Sequence, residues 1–319
     1  MTPPHPGAEH GVTTVIGPDC DPNPVFGTTA GGIVDAHVHL WDTGETRISW
    51  FRDDLGLPAR VGPDDLAGAV ATSPVPVRAA VAVQAADTEA EARWLGRQAA
   101  ARGPLPGPLV LQYDARPDPA AWAGMAQAVI DDASAAATGV AGIRLAVPGG
   151  AADLSDVAGL DPLCEGLAAS GRVLETLVRP EQLPAVAALA ARHPDLDVVV
   201  CHLGLGTGAP DRSWRAALAE LAARPRAHAK LSGLHTAAPD DAARVALAAR
   251  AAVDLLGPDR LLFGSDWPMS ARVAPYAEIV GRTARALPPL DDAAAVAVWS
   301  GTADRLYGAA TRAPRGSPA

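Results

Sequence analysis

The sequence predicts a (β/α)8 barrel, and three observations support this fold. The chain has 319 residues, of which 49% are hydrophobic, so it is long enough to bury a large core. Short β-branched runs alternate with segments rich in alanine, leucine and arginine that have helical spacing. The runs number eight, and an eight-stranded parallel sheet closes into a barrel.

The predicted strands share a short apolar run that ends in polar or turn residues. In chain order they are Ile33–His39, Val77–Gln84, Pro108–Tyr113, Val140–Leu145, Arg172–Leu177, Val198–His202, Ala227–Leu231 and Arg260–Ser265. Helices are predicted at Asp87–Arg102, Ala120–Ala137, Pro180–Arg192 and Asp291–Tyr307. The second fold considered is an open doubly wound sheet, but no glycine-rich phosphate loop follows the first strand.

Both ends of the chain lack hydrophobic periodicity. Residues 1–30 are rich in proline, glycine and threonine and are predicted to form a flexible arm. Residues 310–319 have a similar composition and are predicted to form a flexible tail. The barrel is therefore expected to be one domain over residues 31–309.

Net charge, cysteine content and the lack of long apolar segments limit the partners and the compartment that are expected. The net charge of -10 disfavours nucleic acid and membrane surfaces, because both are negatively charged. Cys20, Cys164 and Cys201 are too few for a disulfide framework and favour a reducing compartment. Met1–His10 does not resemble a signal peptide, and no apolar run reaches membrane-spanning length. These features predict a cytoplasmic protein with a small-molecule substrate.

Polar residues at the predicted strand ends indicate a site, because the carboxyl ends of barrel strands converge. His37 and His39 close the first strand and point to the same side. They either share a metal ion or are partly buried histidines that bond to backbone. Asp266 follows the eighth strand, where it either binds a metal and accepts a proton or forms a turn before Trp267.

The fifth and sixth strands each contribute one more candidate. Glu175 lies in an apolar strand, where a carboxylate is costly unless it is paired or metal-bound. A metal ligand is the simplest explanation, and an ion pair with Arg144 or Arg179 is the alternative. His202 closes a strand of three valines and is a candidate acid/base or oxyanion-stabilising residue.

Further residues are expected to contact substrate at the same rim. Arg144 and Lys230 either orient a substrate carboxylate or polyol, or neutralise the acidic residues of the site. Gln84 ends the second strand and can hydrogen-bond substrate. His235 lies in a predicted loop, and Trp41 begins a loop that is expected to shape the pocket.

Seven motifs follow the predicted strand ends in order. They are Val34–Trp41, Val83–Ala85, Gly142–Arg144, Val178–Pro184, Cys201–Gly204, Lys230–Leu234 and Phe263–Pro268. Together they resemble the amidohydrolase superfamily, and in particular its lactonase-type members. Among these members, the motifs are similar to those of L-fuconolactonases and L-rhamnonolactonases, and more distantly to those of 2-pyrone-4,6-dicarboxylate lactonases.

The resemblance implies roles for individual residues. His37, His39 and Asp266 fall at metal-site positions, and His202 falls at the histidine that contacts the reacting carbonyl. Arg144 and Lys230 match positions that face substrate. The chain departs from the lactonase pattern twice, since Glu175 and Cys201 each stand where an aspartate is usual.

We therefore expect one divalent ion, Zn²⁺ or alternatively Mn²⁺, held by His37, His39, Glu175 and Asp266. Hydrolysis without a metal is the alternative, since some relatives of the dicarboxylate-lactonase type work without one. The predicted reaction is the opening of a lactone, or a related cyclic ester or amide, by an activated water. The substrate would be anionic or polyhydroxylated. Asp266 would take the proton of the water, and His202 would hydrogen-bond the carbonyl oxygen. The alternatives are metal-dependent decarboxylation of an aromatic or unsaturated acid and a non-catalytic binding role.

Overall fold

A computed structural model describes residues 31–101, 107–113 and 139–308, and it contains one sheet of eight parallel strands in sequence order. The strands are Ile33–Val38, Val77–Val83, Leu109–Tyr113, Val140–Ala146, Val173–Leu177, Val198–Val200, Ala227–Leu231 and Leu261–Phe263. The first and eighth strands lie side by side and are bridged by Val38 and Trp267. This arrangement confirms the predicted barrel.

Helices connect most of the strands. The α-helices are Pro63–Val70, Glu89–Ala101, Leu160–Ala169, Leu183–Arg192, Arg212–Ala222, Leu234–Ala237, Ala242–Leu256, Tyr276–Ala286, Asp292–Val296 and Thr302–Tyr307. Short 3₁₀ helices occur at Asp53–Leu55, Pro180–Gln182, Cys201–Gly204, Pro258–Arg260 and Met269–Arg272. No helix in the described part of the chain is long and apolar enough to cross a membrane. The predicted arm, tail and helix Ala120–Ala137 fall outside the described residues.

The floor of the barrel is apolar and is closed by the last helix. A cluster of buried side chains draws on seven of the eight strands. Its members are Val34, Ala36, Val81, Val83, Val110, Ala141, Val173, Val199 and Leu262. Ala303, Leu306 and Tyr307 of the last helix pack against them. The phenol of Tyr307 is thereby directed into the barrel from below.

The predicted final helix Asp291–Tyr307 is interrupted. It consists of two α-helical segments, Asp292–Val296 and Thr302–Tyr307, joined by the π-helical turn Ala297–Gly301. Such turns insert an extra residue and rotate the segment that follows. The turn thus contributes to the orientation of the segment that carries Tyr307.

Two strands, the sixth and the eighth, end two residues earlier than the sequence predicted. The sixth strand stops at Val200, and Cys201–Gly204 form a 3₁₀ turn in which His202 has φ 55°. The eighth strand stops at Phe263, and Asp266 has φ 61°. Left-handed backbone cannot continue a strand and is uncommon for residues other than glycine, so both functional candidates lie in strained turns.

Candidate active site

Three of the predicted metal ligands come together at the ends of the first and eighth strands. The Nε2 atoms of His37 and His39 are 3.2 Å apart, and each lies 3.7 Å from Oδ1 of Asp266. Two ligands of a tetrahedral zinc ion, bound at about 2.0–2.1 Å, are about 3.3–3.4 Å apart. The three distances bracket this value, so the donor set fits a divalent ion.

Both imidazoles have the neutral form that metal binding requires. Burial lowers the pKa of each well below its ordinary value, and the charges of Lys230 and Arg144 lower it further. The Nδ1–H of His39 donates to the carbonyl oxygen of Val83 at 2.7 Å. Since a carbonyl only accepts, this bond leaves the Nε2 lone pair of His39 directed at the site.

Asp266 is a buried carboxylate with little support from the protein. Burial raises its pKa to about 7, and the neighbouring Asp35 adds to this effect while Arg144 opposes it. Its Oδ2 receives a long contact of 3.5 Å from the Thr236 hydroxyl. A bound divalent ion would stabilise this carboxylate, because burial removes the water that would otherwise solvate its negative charge.

The two strand ends that carry these ligands are joined by Asp35. Its Oδ1 accepts from the backbone N–H of His37 at 3.1 Å and of Ser265 at 2.9 Å. The Tyr276 hydroxyl donates to its Oδ2 at 2.9 Å. In addition, the N–H of Asp266 donates to the carbonyl of His37 at 2.9 Å. These bonds hold the ligands from opposite ends of the chain in register.

Glu175 has protein partners on both carboxylate oxygens. Its Oε1 accepts from Lys230 Nζ at 2.5 Å and from the Tyr307 hydroxyl at 2.6 Å. Its Oε2 receives the Cys201 thiol at 3.4 Å. The cation that pairs with Glu175 is thus Lys230, whereas the sequence suggested an arginine. Its role as a metal ligand stays a prediction, and these contacts favour the ion pair.

Lys230 lies deeper than the sequence suggested. Its side chain is fully buried, and besides Glu175 its Nζ contacts Nδ1 of His37 at 3.3 Å. These contacts correspond to the neutralising role considered above. Direct contact with substrate stays a prediction for Lys230.

His202 reaches the same site from the sixth strand. Its ring centroid lies 4.9 Å from that of His37, and its Nδ1 is 2.8 Å from the Ser232 hydroxyl. Burial, followed by Arg144 and Lys230, lowers its pKa to about 3. A Cβ at residue 233 would lie 2.5 Å from Nδ1 of His202, so Gly233 permits this close packing. His202 is therefore a neutral imidazole held in one place.

Arg144 and Gln84 form a hydrogen-bonded network beside the ligands. Arg144 donates to the Gln84 carbonyl at 2.6 Å and to the side-chain carbonyl of Gln112 at 3.0 Å through Nε. The Gln84 side chain donates to the Thr88 carbonyl at 3.0 Å and accepts from the Gln112 N–H at 3.0 Å. Both residues are almost fully buried, and their substrate contacts stay predictions.

The remaining two candidates face the protein. Trp41 is fully buried, and its Nε1 donates to the Pro58 carbonyl at 2.8 Å. His235 is the second residue of the short helix Leu234–Ala237 rather than part of a loop, and its Nε2 is 3.1 Å from the Thr283 hydroxyl. Their predicted substrate contacts have no supporting geometry among the described residues.

Several residues of the site escaped the sequence interpretation. Asp35 had a visible signal, since an acidic residue inside the apolar first strand needs partners. Glu91, which accepts from the Gln84 side-chain amide at 3.3 Å, also had one. Thr88 and Glu91 have the spacing of a capping box, and the Glu91 N–H donates to the Thr88 hydroxyl at 3.2 Å. Ser232 and Tyr307 had none, since nothing local distinguishes them from ordinary loop and helix residues.

Comparison with known proteins places these features in a family context. A family model described as amidohydrolase matches residues 34–309. L-fucono-1,5-lactonase of Burkholderia ambifaria is 35% identical over 244 residues, which are 74% of this chain and 80% of that protein. A crystal structure of an amidohydrolase from Burkholderia multivorans with bound zinc has a TM-score of 0.73 and 31% identity, covering 86% of this chain and 99% of that chain.

A more distant similarity shows the fold alone. The crystal structure of 5-carboxyvanillate decarboxylase from Sphingomonas paucimobilis has a TM-score of 0.53 and 14% identity. It covers 86% of this chain and 98% of that chain. Because one barrel can host different reactions, this likeness does not extend to activity.

Proposed function

We propose, from the premise that this chain belongs to the amidohydrolase family, that it hydrolyses a sugar lactone at a single-ion centre. The observation that carries the proposal is the buried triangle of His37, His39 and Asp266, with its separations of 3.2 and 3.7 Å. The similarity to L-fucono-1,5-lactonase supports the substrate class.

The proposed ion is Zn²⁺, with Mn²⁺ as the alternative. Two imidazole nitrogens and a carboxylate oxygen suit zinc, and the similar structure from Burkholderia multivorans holds zinc. When bound, such an ion supplies Lewis acidity and lowers the pKa of a water from about 15.7 toward about 7. Glu175 stays a predicted fourth ligand, which would have to exchange a contact with Lys230 or Cys201.

Asp266 and His202 are proposed to move and stabilise charge. Asp266 takes a proton from the attacking water and delivers it to the alkoxide that leaves as the ring opens. His202 donates from Nε2 to the carbonyl oxygen as negative charge develops there. This tautomer requires its Nδ1 to accept from the Ser232 hydroxyl, and the separation of 2.8 Å suits that bond.

Arg144 is proposed to orient the substrate. Its bonds to the Gln84 carbonyl and to Gln112 hold the guanidinium beside the ligand triangle. A fixed guanidinium suits hydroxyl groups or a carboxylate, which favours a polyhydroxylated or anionic ring.

A substrate panel with and without metal tests the proposed function. Purified protein is assayed with five- and six-membered aldonolactones, the matching lactams, and aromatic carboxylic acids. We expect ring opening of lactones, its loss after chelation, and its return with zinc or manganese. Full activity after complete metal removal would contradict the ion's role. Release of CO2 from the aromatic acids without lactone hydrolysis would favour the decarboxylase alternative.

A further inference from the structure

A second group of potential metal ligands lies next to the triangle. His37, Glu175 and Cys201 each offer a donor atom, and these atoms lie within 4.8 Å of one another. All three side chains are fully buried. A buried imidazole, carboxylate and thiol together form a donor set that borderline-soft divalent ions prefer.

Lys230 places a positive charge among these donors. Its Nζ lies 2.5 Å from Oε1 of Glu175 and 3.3 Å from Nδ1 of His37. Oε2 of the same carboxylate is 3.4 Å from the Cys201 sulfur. The ammonium therefore contacts two of the three groups that would ligate a second ion.

The ammonium and a second ion would occupy the same space among these donors, since Nζ already contacts His37 and Glu175. A divalent ion there would release two protons to solvent, one from the Cys201 thiol and one from Nδ1 of His37, because only the deprotonated atoms can ligate. Because two cations in one buried space repel each other, the pocket accepts one cation or the other, not both.

We propose that the ammonium of Lys230 occupies the position of a second divalent cation, so that His37, Glu175 and Cys201 form a latent metal site that Lys230 closes. The lysine thereby limits the centre to one ion. The first ion faces Nε2 of His37, and the ammonium lies on the Nδ1 side of the same ring. This inference uses the proposed single-ion function only for the first ion.

Cobalt titration tests the latent site without relying on activity. Metal-free wild type, K230A and K230M are loaded with Co²⁺, freed of excess ion and analysed for cobalt per chain and for near-ultraviolet absorption. We expect one ion in wild type and two in K230A. The second ion should give a thiolate-to-cobalt charge-transfer band that is absent from the double variant C201S/K230A.

K230M is the matched control, because its side chain removes the charge but still fills the space. It should bind one ion and show no thiolate band. Folded K230A with a single ion and no such band would overturn the proposal, as would a Cys201-dependent band in wild type at any cobalt concentration. If K230A does not fold, K230S opens the same space and the wild-type titration still applies. Wild type that binds no ion would instead contradict the proposed function.

Discussion

Asp266 and Glu175 are two buried carboxylates in one barrel, yet the protein surrounds them differently. Glu175 accepts from an ammonium, a phenol and a thiol, at 2.5, 2.6 and 3.4 Å. Asp266 faces the Nε2 atoms of His37 and His39 at 3.7 Å and receives one hydroxyl contact at 3.5 Å. One carboxylate is internally neutralised and the other is not.

The difference separates structural from reactive charge. Donors on both oxygens of Glu175 compensate its charge within the protein and link the elements that carry them. A carboxylate that is buried without a cation is destabilised, and burial accordingly raises the pKa of Asp266 to about 7. Such a group gains most from an added ion or proton, which is what an acid/base residue needs.

The largest expected effect comes from neutralising the reactive carboxylate. D266N keeps the shape of the side chain but removes its charge and its basicity, so lactone hydrolysis should fall about 10²–10⁴-fold. Steady-state kinetics measure the loss of activity, and metal analysis measures any loss of the bound ion. E175Q is the comparison variant, and it should keep its ion if Glu175 only pairs with Lys230. An active D266N, within about tenfold of wild type, would remove Asp266 from the mechanism.

The neutralised pair should instead control stability. K230M leaves Glu175 as a buried charge without a cation and should lower the free energy of unfolding by about 3–5 kcal/mol. The double variant E175Q/K230M removes both charges and should recover most of that loss. Urea unfolding of the two single variants and the double variant gives the coupling energy. Additive losses would mean that the two groups do not act as a pair.

Glu91 extends the comparison to pH. Its oxygens accept from the N–H groups of Ala85 and Ala86 at 2.9 and 2.8 Å, yet burial outweighs these bonds and raises its pKa from 4.5 to about 7. The folded state then binds this proton more tightly than the unfolded state. Its contribution to stability should therefore fall as pH rises from 4.5 to about 7, by about 3 kcal/mol in total.

The variant E91Q isolates this dependence because a glutamine does not titrate. The unfolding free energies of wild type and E91Q are each measured at pH 5 and pH 8. The change between the two pH values is then compared for the two proteins. The stability of wild type relative to E91Q should be lower at pH 8 than at pH 5. Parallel stability profiles would show that folding leaves the pKa of Glu91 unchanged.

Asp35 should give the smallest effect, since it acts through the ligands that it positions. D35A removes the acceptor for the N–H groups of His37 and Ser265, so metal affinity should fall about 10–100-fold. Y276F removes only the third hydrogen bond to Asp35 and should have less effect. Competition with a chromophoric chelator measures both. Equal affinities in D35A and wild type would show that the backbone alone holds the ligands.

Local patterns were enough to predict much of this protein. Alternating apolar runs and helical segments predicted the eight-stranded barrel, because strand and helix periodicities are properties of neighbouring residues. His37 and His39 could be paired from their spacing alone, since residues two apart share a face of a strand. Asp266 and His202 could be selected because each follows an apolar strand.

Partners distant in sequence could not be assigned in the same way. Lys230 and Glu175 are 55 positions apart, and Tyr307 reaches Glu175 across 132 positions. Since the strand ends bring several cations and anions together, only their depth and direction decide which of them pair. The sequence therefore offered two arginines as partners of Glu175, and left Lys230 as either a substrate contact or a neutralising cation.

The sequence by itself determined the barrel, the family pattern and the residues that can carry charge or bind a metal. The tertiary structure decided what each charge does, because that depends on distance, burial and backbone turns. The bond from Asp35 to Ser265 spans 230 positions, and the left-handed turns at His202 and Asp266 appear only where the strands end. Composition allowed both carboxylates to be ligands, but packing supplied Lys230 to Glu175 and left Asp266 facing the two imidazoles.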